Sequence, residues 1–183
     1  MRRPVGIPLY VTGAAAAAFA AATLATIAPI AAGGDRIAFP AEFAKGVKYD
    51  SFDNARNNTF GETYTSPAAI EAAKKGEPLP DGTVITLVSY AVKKDAEGKP
   101  EKDANGRFIK TDTIAGYGVM EKRAGWGTAY PEDVRNGDWE YQAFKPDKTV
   151  NTGAKLSACF ECHKPEAKQD FVFTYDKLKA AAK

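Results

Sequence analysis

Apolar and polar residues alternate along the chain in ways that predict a few short helices and several strands. In SPAAIEAAKKG, Ser66 is a favourable helix N-cap, Pro67 suits the first helical position, and Gly76 can end the helix in a left-handed conformation. The turn sequence PLPDGT follows, and then VITLVSYAV at 84–92, whose β-branched and aromatic residues are typical of a buried strand. The first predicted unit is therefore a helix followed by a buried strand.

The remaining pattern continues this mixture. The sequence KKDAEGKPEKDANGR at 93–107 predicts a charged, solvated, hairpin-like loop, because glycine, proline and Asn-Gly interrupt any regular element. The further predicted elements are strands around Phe108 and at 114–120, a short helix at 131–136, a half-buried strand at 138–144 (DWEYQAF), and helical segments around the cysteines and at 175–183. This order predicts an α+β fold, a mainly antiparallel sheet with packed helices in one domain.

The first 33 residues have a different composition from the rest. Arg2 and Arg3 precede an uncharged, alanine-rich apolar run that ends in small residues at 31–33, which is the layout of a cleaved signal peptide. The run is also long enough to remain as an uncleaved membrane anchor. Both interpretations place the domain at 35–183 outside the cytoplasm, in the periplasm of a bacterium.

The charge balance indicates no nucleic acid partner. Lys and Arg number 25 and Asp and Glu 23, so without Arg2 and Arg3 the basic and acidic residues are equal in number. Neutralising phosphates requires a basic face that these totals do not suggest.

The chemistry-bearing residues are concentrated in CFECH. Cys159 and Cys162 are the only cysteines of the chain, and His163, directly after them, is its only histidine. This spacing predicts covalent attachment of one haem c, with both thiols bound to the porphyrin and His163 as the proximal ligand of the iron. A disulfide or redox pair would leave the position of the histidine unexplained, and a zinc site would need a fourth ligand of another type.

The sixth position of such an iron has few candidates in this chain. A second histidine is impossible, and Met120 is the only methionine besides Met1. Met120 lies in the apolar run GYGVM, where it can equally pack in the core. We therefore expect an iron that is five-coordinate or weakly capped and open to small ligands, and an electron carrier with Met120 on the iron is the alternative.

Three stretches carry a resemblance to a known family. PLPDGTVITLV, GYGVMEK and CFECHKPEAKQDFVFT resemble the cytochrome P-460 family, which includes the cytochromes c′-beta. The resemblance covers roughly residues 45–180. It implies a mainly antiparallel β-sheet with packed helices, a homodimer, and one c-type haem with histidine as its only protein ligand.

The resemblance also implies roles for residues around the haem. Members that oxidise hydroxylamine link a lysine to the porphyrin, and Leu87 occupies that place here, so the bond cannot form. A distal carboxylate of these enzymes corresponds to Glu121, the one candidate catalytic base. A pocket arginine has Arg56 as its nearest equivalent, and Phe60 is a candidate pocket aromatic.

Together these observations predict a periplasmic monohaem cytochrome of the c′-beta kind. Its expected partners are nitric oxide or a related gaseous or nitrogenous ligand, and a redox protein. A hydroxylamine-oxidising or nitrogen-oxide-converting enzyme is a further alternative.

Overall fold

A five-stranded antiparallel meander forms the centre of the fold in the computed structural model, which describes residues 36–181. The strands are β1 (Val47–Asn54), β2 (Thr59–Thr65), β3 (Val84–Val92), β4 (Lys110–Lys122) and β5 (Trp139–Phe144). They lie in the sheet in the order in which they occur in the chain, and each pairs antiparallel with the next. The prediction of an α+β fold is confirmed.

Three helices pack on one face of this sheet. They are α1 (Pro67–Lys75), α2 (Ser157–His163) and α3 (Tyr175–Ala180), with short 3-10 turns at Phe43–Lys45, Trp126–Ala129 and Lys164–Gln169. α1 begins and ends as predicted. The Ser66 hydroxyl accepts a hydrogen bond from the Ala69 N–H at 3.2 Å, and Gly76 ends the helix with φ 74°.

Apolar side chains cover both faces of the sheet. The helical face buries a cluster that includes Ile85, Met120, Tyr141 and Phe160. The other face buries Ile37, Val88, Tyr117, Val119 and Phe144, and Phe39 from the segment before β1 lies with its ring centroid 5.3 Å from that of Phe144. The residues before β1 therefore close the face of the sheet opposite the helices.

This second layer corrects the prediction of a half-buried β5. Glu140 and Gln142 are 1% and 4% exposed, although their places in the alternation predict contact with solvent. Arg36, at the start of the described chain, forms an ion pair with Glu140 at 3.3 Å, which offsets the cost of burying this carboxylate. A polar residue on a covered face requires such a partner.

The predicted helix at 131–136 is also wrong. The N–H groups of Val134 and Arg135 both bond to the Pro131 carbonyl, which gives one turn. The chain then departs from helical geometry, because Gly137 takes a φ of 56° and the Asn136 side chain is buried in hydrogen bonds to other segments. A single turn is all that remains of the expected helix.

Smaller differences concern element ends. The loop at 93–107 is hairpin-like, as predicted, and contains two tight turns in which Asp95 and Asp103 accept backbone N–H groups. Phe108 lies in an isolated bridge with Lys102 rather than in a strand. The last helix ends at Ala180, earlier than predicted.

The predicted signal peptide or anchor at 1–33 lies outside the described residues. Within 36–181, no helix is both long enough and apolar enough to span a bilayer.

Candidate haem site

Helix α2 presents the two cysteines and the histidine on one side. Residues three and four positions apart lie on the same face of a helix, so Cys159, Cys162 and His163 are neighbours along α2. Phe160, three positions before His163, is 1% exposed, and its ring lies 4.8 Å from the ring of Tyr141, which also contacts His163 at 4.9 Å. Burial of Phe160 in the core therefore sets the rotation of α2, in which Cys159, Cys162 and His163 line a cavity.

That face borders a cavity of about 470 Å³ between α2 and the helical face of the sheet. The cavity is mainly apolar, and its volume lies in the range of small-molecule and cofactor sites, about 300–1,000 Å³. The sheet contributes Phe52, Asn54, Thr63, Ile85, Leu87, Gly118, Val119, Met120, Tyr141, Gln142 and Ala143, the turn after β1 contributes Arg56, and the opposite side consists of Ala158, Cys159, Cys162, His163, Val172, Phe173 and Thr174.

Glycine and alanine occur in the strand wall of the cavity at Gly118 and Ala143. Leu87 pairs with Gly118 across β3 and β4, and Gly118 pairs with Ala143 on β5. On β2, a Cβ added to Gly61 would lie 2.8 Å from the Phe52 ring and 3.0 Å from the Leu87 Cδ1 atom. Glycine at 61 is therefore what allows Phe52 and Leu87 to meet in this wall.

The imidazole of His163 is oriented by a backbone carbonyl. Its Nδ1 lies 2.7 Å from the Phe171 oxygen. Because a carbonyl oxygen can only accept, Nδ1 carries the hydrogen and Nε2 keeps its lone pair. Burial lowers the pKa of His163, an effect that the hydrogen bond to the Phe171 carbonyl opposes. A neutral imidazole with a free nitrogen and an anchored one is the form that binds metals.

The two thiols are free and differ in environment. Cys159 is half-buried and Cys162 is exposed, and the two sulfurs form no disulfide. Burial raises the pKa of the Cys159 thiol, which favours its neutral form. In residues 36–181, no group of three or more histidine, cysteine and acidic side chains is arranged to hold a metal ion.

Leu87 and Met120 both line the cavity on the strand side. Leu87 lies where the resemblance places the linking lysine, and no lysine is among the cavity-lining residues of the described chain. Met120 is 7% exposed and packs in the same core cluster as Ile85 and Tyr141. Its location is compatible with core packing and with the role of a sixth ligand.

Glu121 is not brought to the cavity. It follows Met120 in β4, and successive side chains of a strand point to opposite faces. Its carboxylate accepts a hydrogen bond from Arg123 Nε at 2.6 Å, and Glu121 pairs with Glu140 on β5. Among the described residues, Glu121 is absent from those that line the cavity. The base role of Glu121 stays a prediction, without support from proximity.

Polar side chains gather at the edge of the cavity near the β1–β2 turn. Arg56 is exposed there and Asn54 is half-buried. Toward the other end of β1, the hydroxyl of Thr174, another lining residue, lies 2.7 Å from the hydroxyl of Tyr49, whose pKa burial raises to about 12. The predicted aromatic Phe60 is not among the lining residues of the described chain, and Phe52 lines the cavity instead.

The segment that orients His163 has no recognisable signal in the sequence. Asp170 and Phe171 have φ values of 52° and 60°, two consecutive left-handed residues that are not glycine. Residues other than glycine rarely adopt this conformation in succession. The stretch DFVFT gives no local signal of this bend, so the Phe171 carbonyl could not be identified as a hydrogen-bond acceptor from the sequence.

Comparison with known proteins agrees with this geometry. A family model described as Cytochrome P460 matches residues 40–174, most of the chain. The chain belongs to the cytochrome P460 family. A search of curated proteins finds no match. Membership establishes a cytochrome that binds haem and its iron.

The residues of the cavity fit a haem. The wall is apolar, the volume suits a flat cofactor, two free thiols and one imidazole come from the same face of α2, and Arg56 can bind an anionic group at the edge. The individual roles of Cys159, Cys162 and His163 stay predictions that this arrangement supports.

Proposed function

We propose that the protein is an exported cytochrome with one covalently attached haem c, whose iron binds a small gaseous or nitrogenous ligand. Cys159 and Cys162 attach the porphyrin, and His163 binds the iron through Nε2. The observation that carries the proposal is the hydrogen bond of 2.7 Å from His163 Nδ1 to the Phe171 carbonyl, because it fixes the tautomer that leaves Nε2 free beside the two thiols.

Attachment through these cysteines requires no oxidant. Each thiol adds across one vinyl group: a carbon–sulfur bond forms at the carbon next to the ring, and the thiol hydrogen goes to the terminal carbon. The S–H bond and the carbon–carbon π bond are lost, so atoms and electrons balance. The reaction requires reduced thiols, and both cysteines are free.

The composition of the cavity wall opposite α2 supports an iron whose sixth coordination position is free. From β3 and β4 the helical face presents Ile85, Leu87, Gly118 and Met120 to this cavity, and only Met120 has a side-chain atom that can bind iron. An apolar wall without ionisable groups favours small, weakly polar ligands such as nitric oxide or carbon monoxide over charged ones. The bound haem supplies the iron to which such ligands coordinate.

Met120 favours a second candidate, a simple electron carrier. Because its side chain lines the cavity from β4 while His163 lines it from α2, both could bind the same iron. A thioether ligand would close the site to gases and raise the reduction potential.

The optical spectrum of the reduced protein, with and without carbon monoxide, distinguishes the two candidates. We expect a high-spin spectrum that changes on addition of carbon monoxide. Met120→Leu, a substitution of similar volume, should leave the spectrum unchanged. A low-spin spectrum that becomes high-spin in Met120→Leu would instead establish the electron carrier.

We also propose export to the periplasm, a redox partner protein and a homodimer. The apolar run at 1–33 supports export, either with cleavage or with a retained anchor. A haem protein whose function involves a change in iron oxidation state requires a source of electrons, which supports the redox partner. The homodimer is what the resemblance to this family implies.

A further inference from the structure

The bend that carries the Phe171 carbonyl is held by a partly buried ion pair. The carboxylate of Asp170, one residue earlier, accepts hydrogen bonds from Lys122 Nζ at 2.9 and 2.8 Å. The side chains of Lys122 and Asp170 are 16% and 15% exposed, so solvent has little access to either charge. In this environment, removal of either the carboxylate or the ammonium would leave the other charge without a partner.

The same two side chains also bind the backbone at Leu79, before β3. The Leu79 N–H donates to Asp170 Oδ2 at 2.8 Å, and Lys122 Nζ donates to the Leu79 carbonyl at 3.0 Å. Leu79 is buried in the core. We call Lys122, Asp170 and the Leu79 backbone the proximal clamp. It connects the end of β4 and the turn before β3 to the segment that follows α2.

The clamp fixes a left-handed pair of residues that the chain does not favour. Asp170 and Phe171 both have positive φ, and the Phe171 ring approaches Gly137, where an added Cβ would lie 3.1 Å from a ring carbon. The Phe171 carbonyl is thereby held at the position where it accepts the His163 Nδ1 hydrogen. Without the clamp, the segment could relax to a conformation with negative φ, which would turn this carbonyl away.

We propose that Lys122, acting through Asp170, is a positioning residue that keeps the Phe171 carbonyl hydrogen-bonded to His163. This inference rests on the proposed role of His163 as the iron ligand. The hydrogen bond orients the ring and increases the donor strength of Nε2. Loss of the groups that orient a metal-binding histidine typically lowers metal affinity by about 10–100-fold.

The test uses the haem-loaded full-length chain in four variants. Lys122→Met and Asp170→Asn break the ion pair from either side, and Lys122→Arg keeps a cation. Lys110→Met is the matched control, because it removes a lysine from an ion pair with Glu62 at 3.0 Å without contacting the proximal clamp. The measurements are the iron–histidine stretching band by resonance Raman spectroscopy of the reduced protein and the reduction potential.

We expect the stretching band to move to lower frequency in both Lys122→Met and Asp170→Asn, because a histidine without its carbonyl partner is the weaker donor. Lys122→Arg should lie between these variants and the unaltered protein, and Lys110→Met should leave the band in place. The potential should rise in Lys122→Met, since a weaker donor stabilises the oxidised iron less.

Charge alone predicts a different pattern. Removing a cation near the iron would lower the potential in Lys122→Met, and the band would not move in either variant. An iron–histidine band at the position of the unaltered protein in both Lys122→Met and Asp170→Asn would overturn the proposal, whatever the reduction potential. If Lys122→Met does not accumulate, the band of Asp170→Asn decides, because asparagine keeps the shape and an acceptor for the Leu79 N–H. If the reduced protein is low-spin through Met120, the same variants are compared in the Met120→Leu background. If a high-spin reduced protein shows no iron–histidine band, the assignment of His163 fails instead.

Discussion

At the scale of residues, the single histidine makes spectroscopic signals from the site simple to assign. His163 contacts the rings of Tyr141 and Phe173 at centroid distances of 4.9 Å each, and its Nδ1 is already bonded. Phe173 is 50% exposed although it lines the cavity, so the cavity opens to solvent on the side of α2. Every spectroscopic signal from an imidazole in this protein belongs to one residue, because the sequence has no other histidine.

The first prediction at this scale concerns the cysteines. In Cys159→Ala/Cys162→Ala, no thiol remains to bind the porphyrin, so acid-acetone extraction should release all the haem. Each single variant should retain the haem through one thioether, with a shifted pyridine haemochrome spectrum. Haem that resists extraction from the double variant would refute attachment through these residues.

The second concerns Leu87. Its side chain lines the cavity but contains no nitrogen, so it cannot bond to the porphyrin. The denatured protein should therefore give the haemochrome spectrum of an ordinary c-type haem with two thioethers. A strongly red-shifted Soret band that survives denaturation would reveal a further covalent link and revive the hydroxylamine-oxidising enzyme.

At the scale of elements, α2 depends on one buried amide. Asn136 is fully buried, and its Nδ2 donates to the Phe160 carbonyl at 2.9 Å and to the Tyr141 hydroxyl at 3.0 Å. The Lys164 ammonium, just after α2, donates to the carbonyls of Glu132 and Arg135. The turn at 131–137 therefore holds α2 against the sheet and helps to keep its cysteines at the cavity.

Asn136→Ala should lower the free energy of unfolding by about 1–3 kcal/mol, because two buried acceptors lose their donor. Chemical denaturation of the haem-loaded protein measures the change. Asn105→Ala, in the exposed loop, serves as the control and should stay within about 0.5 kcal/mol of the unaltered protein. Equal stabilities of the two variants would show that the amide does not hold α2.

Elements whose conformation is determined by residues within or next to them can be predicted from the sequence, and elements that depend on distant residues cannot. α1 is predictable because Ser66 and Gly76 act within the helix they flank. β1 is not predicted, because VKYDSFDN is poor in β-branched residues and contains a bulge between Lys48 and Asp50, so its pairing with β2 decides its conformation. The left-handed bend at Asp170 depends on Lys122, far away in the sequence, and no local pattern reveals it.

The placement of Glu121 also shows that a residue's position relative to the cavity cannot be predicted from local sequence. The resemblance aligns it with a distal carboxylate, whereas the alternation along β4 puts Met120 on the cavity side and Glu121 on the other. The grouping of the three side chains in CFECH is predictable, because their positions follow from one helical turn. Residues that reach a site from different strands require the register, which the sequence does not contain.

At the scale of the whole molecule, both faces of the sheet are occupied within one chain. The helices cover one face, and the segment that contains Ile37, Phe39 and Phe43 covers the other. Among the described residues, only Val150 and Phe173 are large apolar side chains with high exposure. A homodimer would therefore need a largely polar interface, and light scattering on the haem-loaded protein should give twice the mass of the chain. A monomeric mass that persists at high protein concentration would contradict the homodimer.

Export and haem attachment should be coupled, since the thiols must meet the cofactor in the compartment where c-type cytochromes mature. In a bacterial host competent for that maturation, the full-length chain should give a red periplasmic or membrane fraction. Intact mass spectrometry should then show one haem on a chain cleaved near residues 31–33, or on the uncleaved chain if the anchor is retained. A variant that lacks residues 1–33 should accumulate without covalent haem, because its thiols stay in the cytoplasm. Equal covalent haem content in both forms would show that attachment does not require export. A colourless full-length product would contradict the proposed function itself.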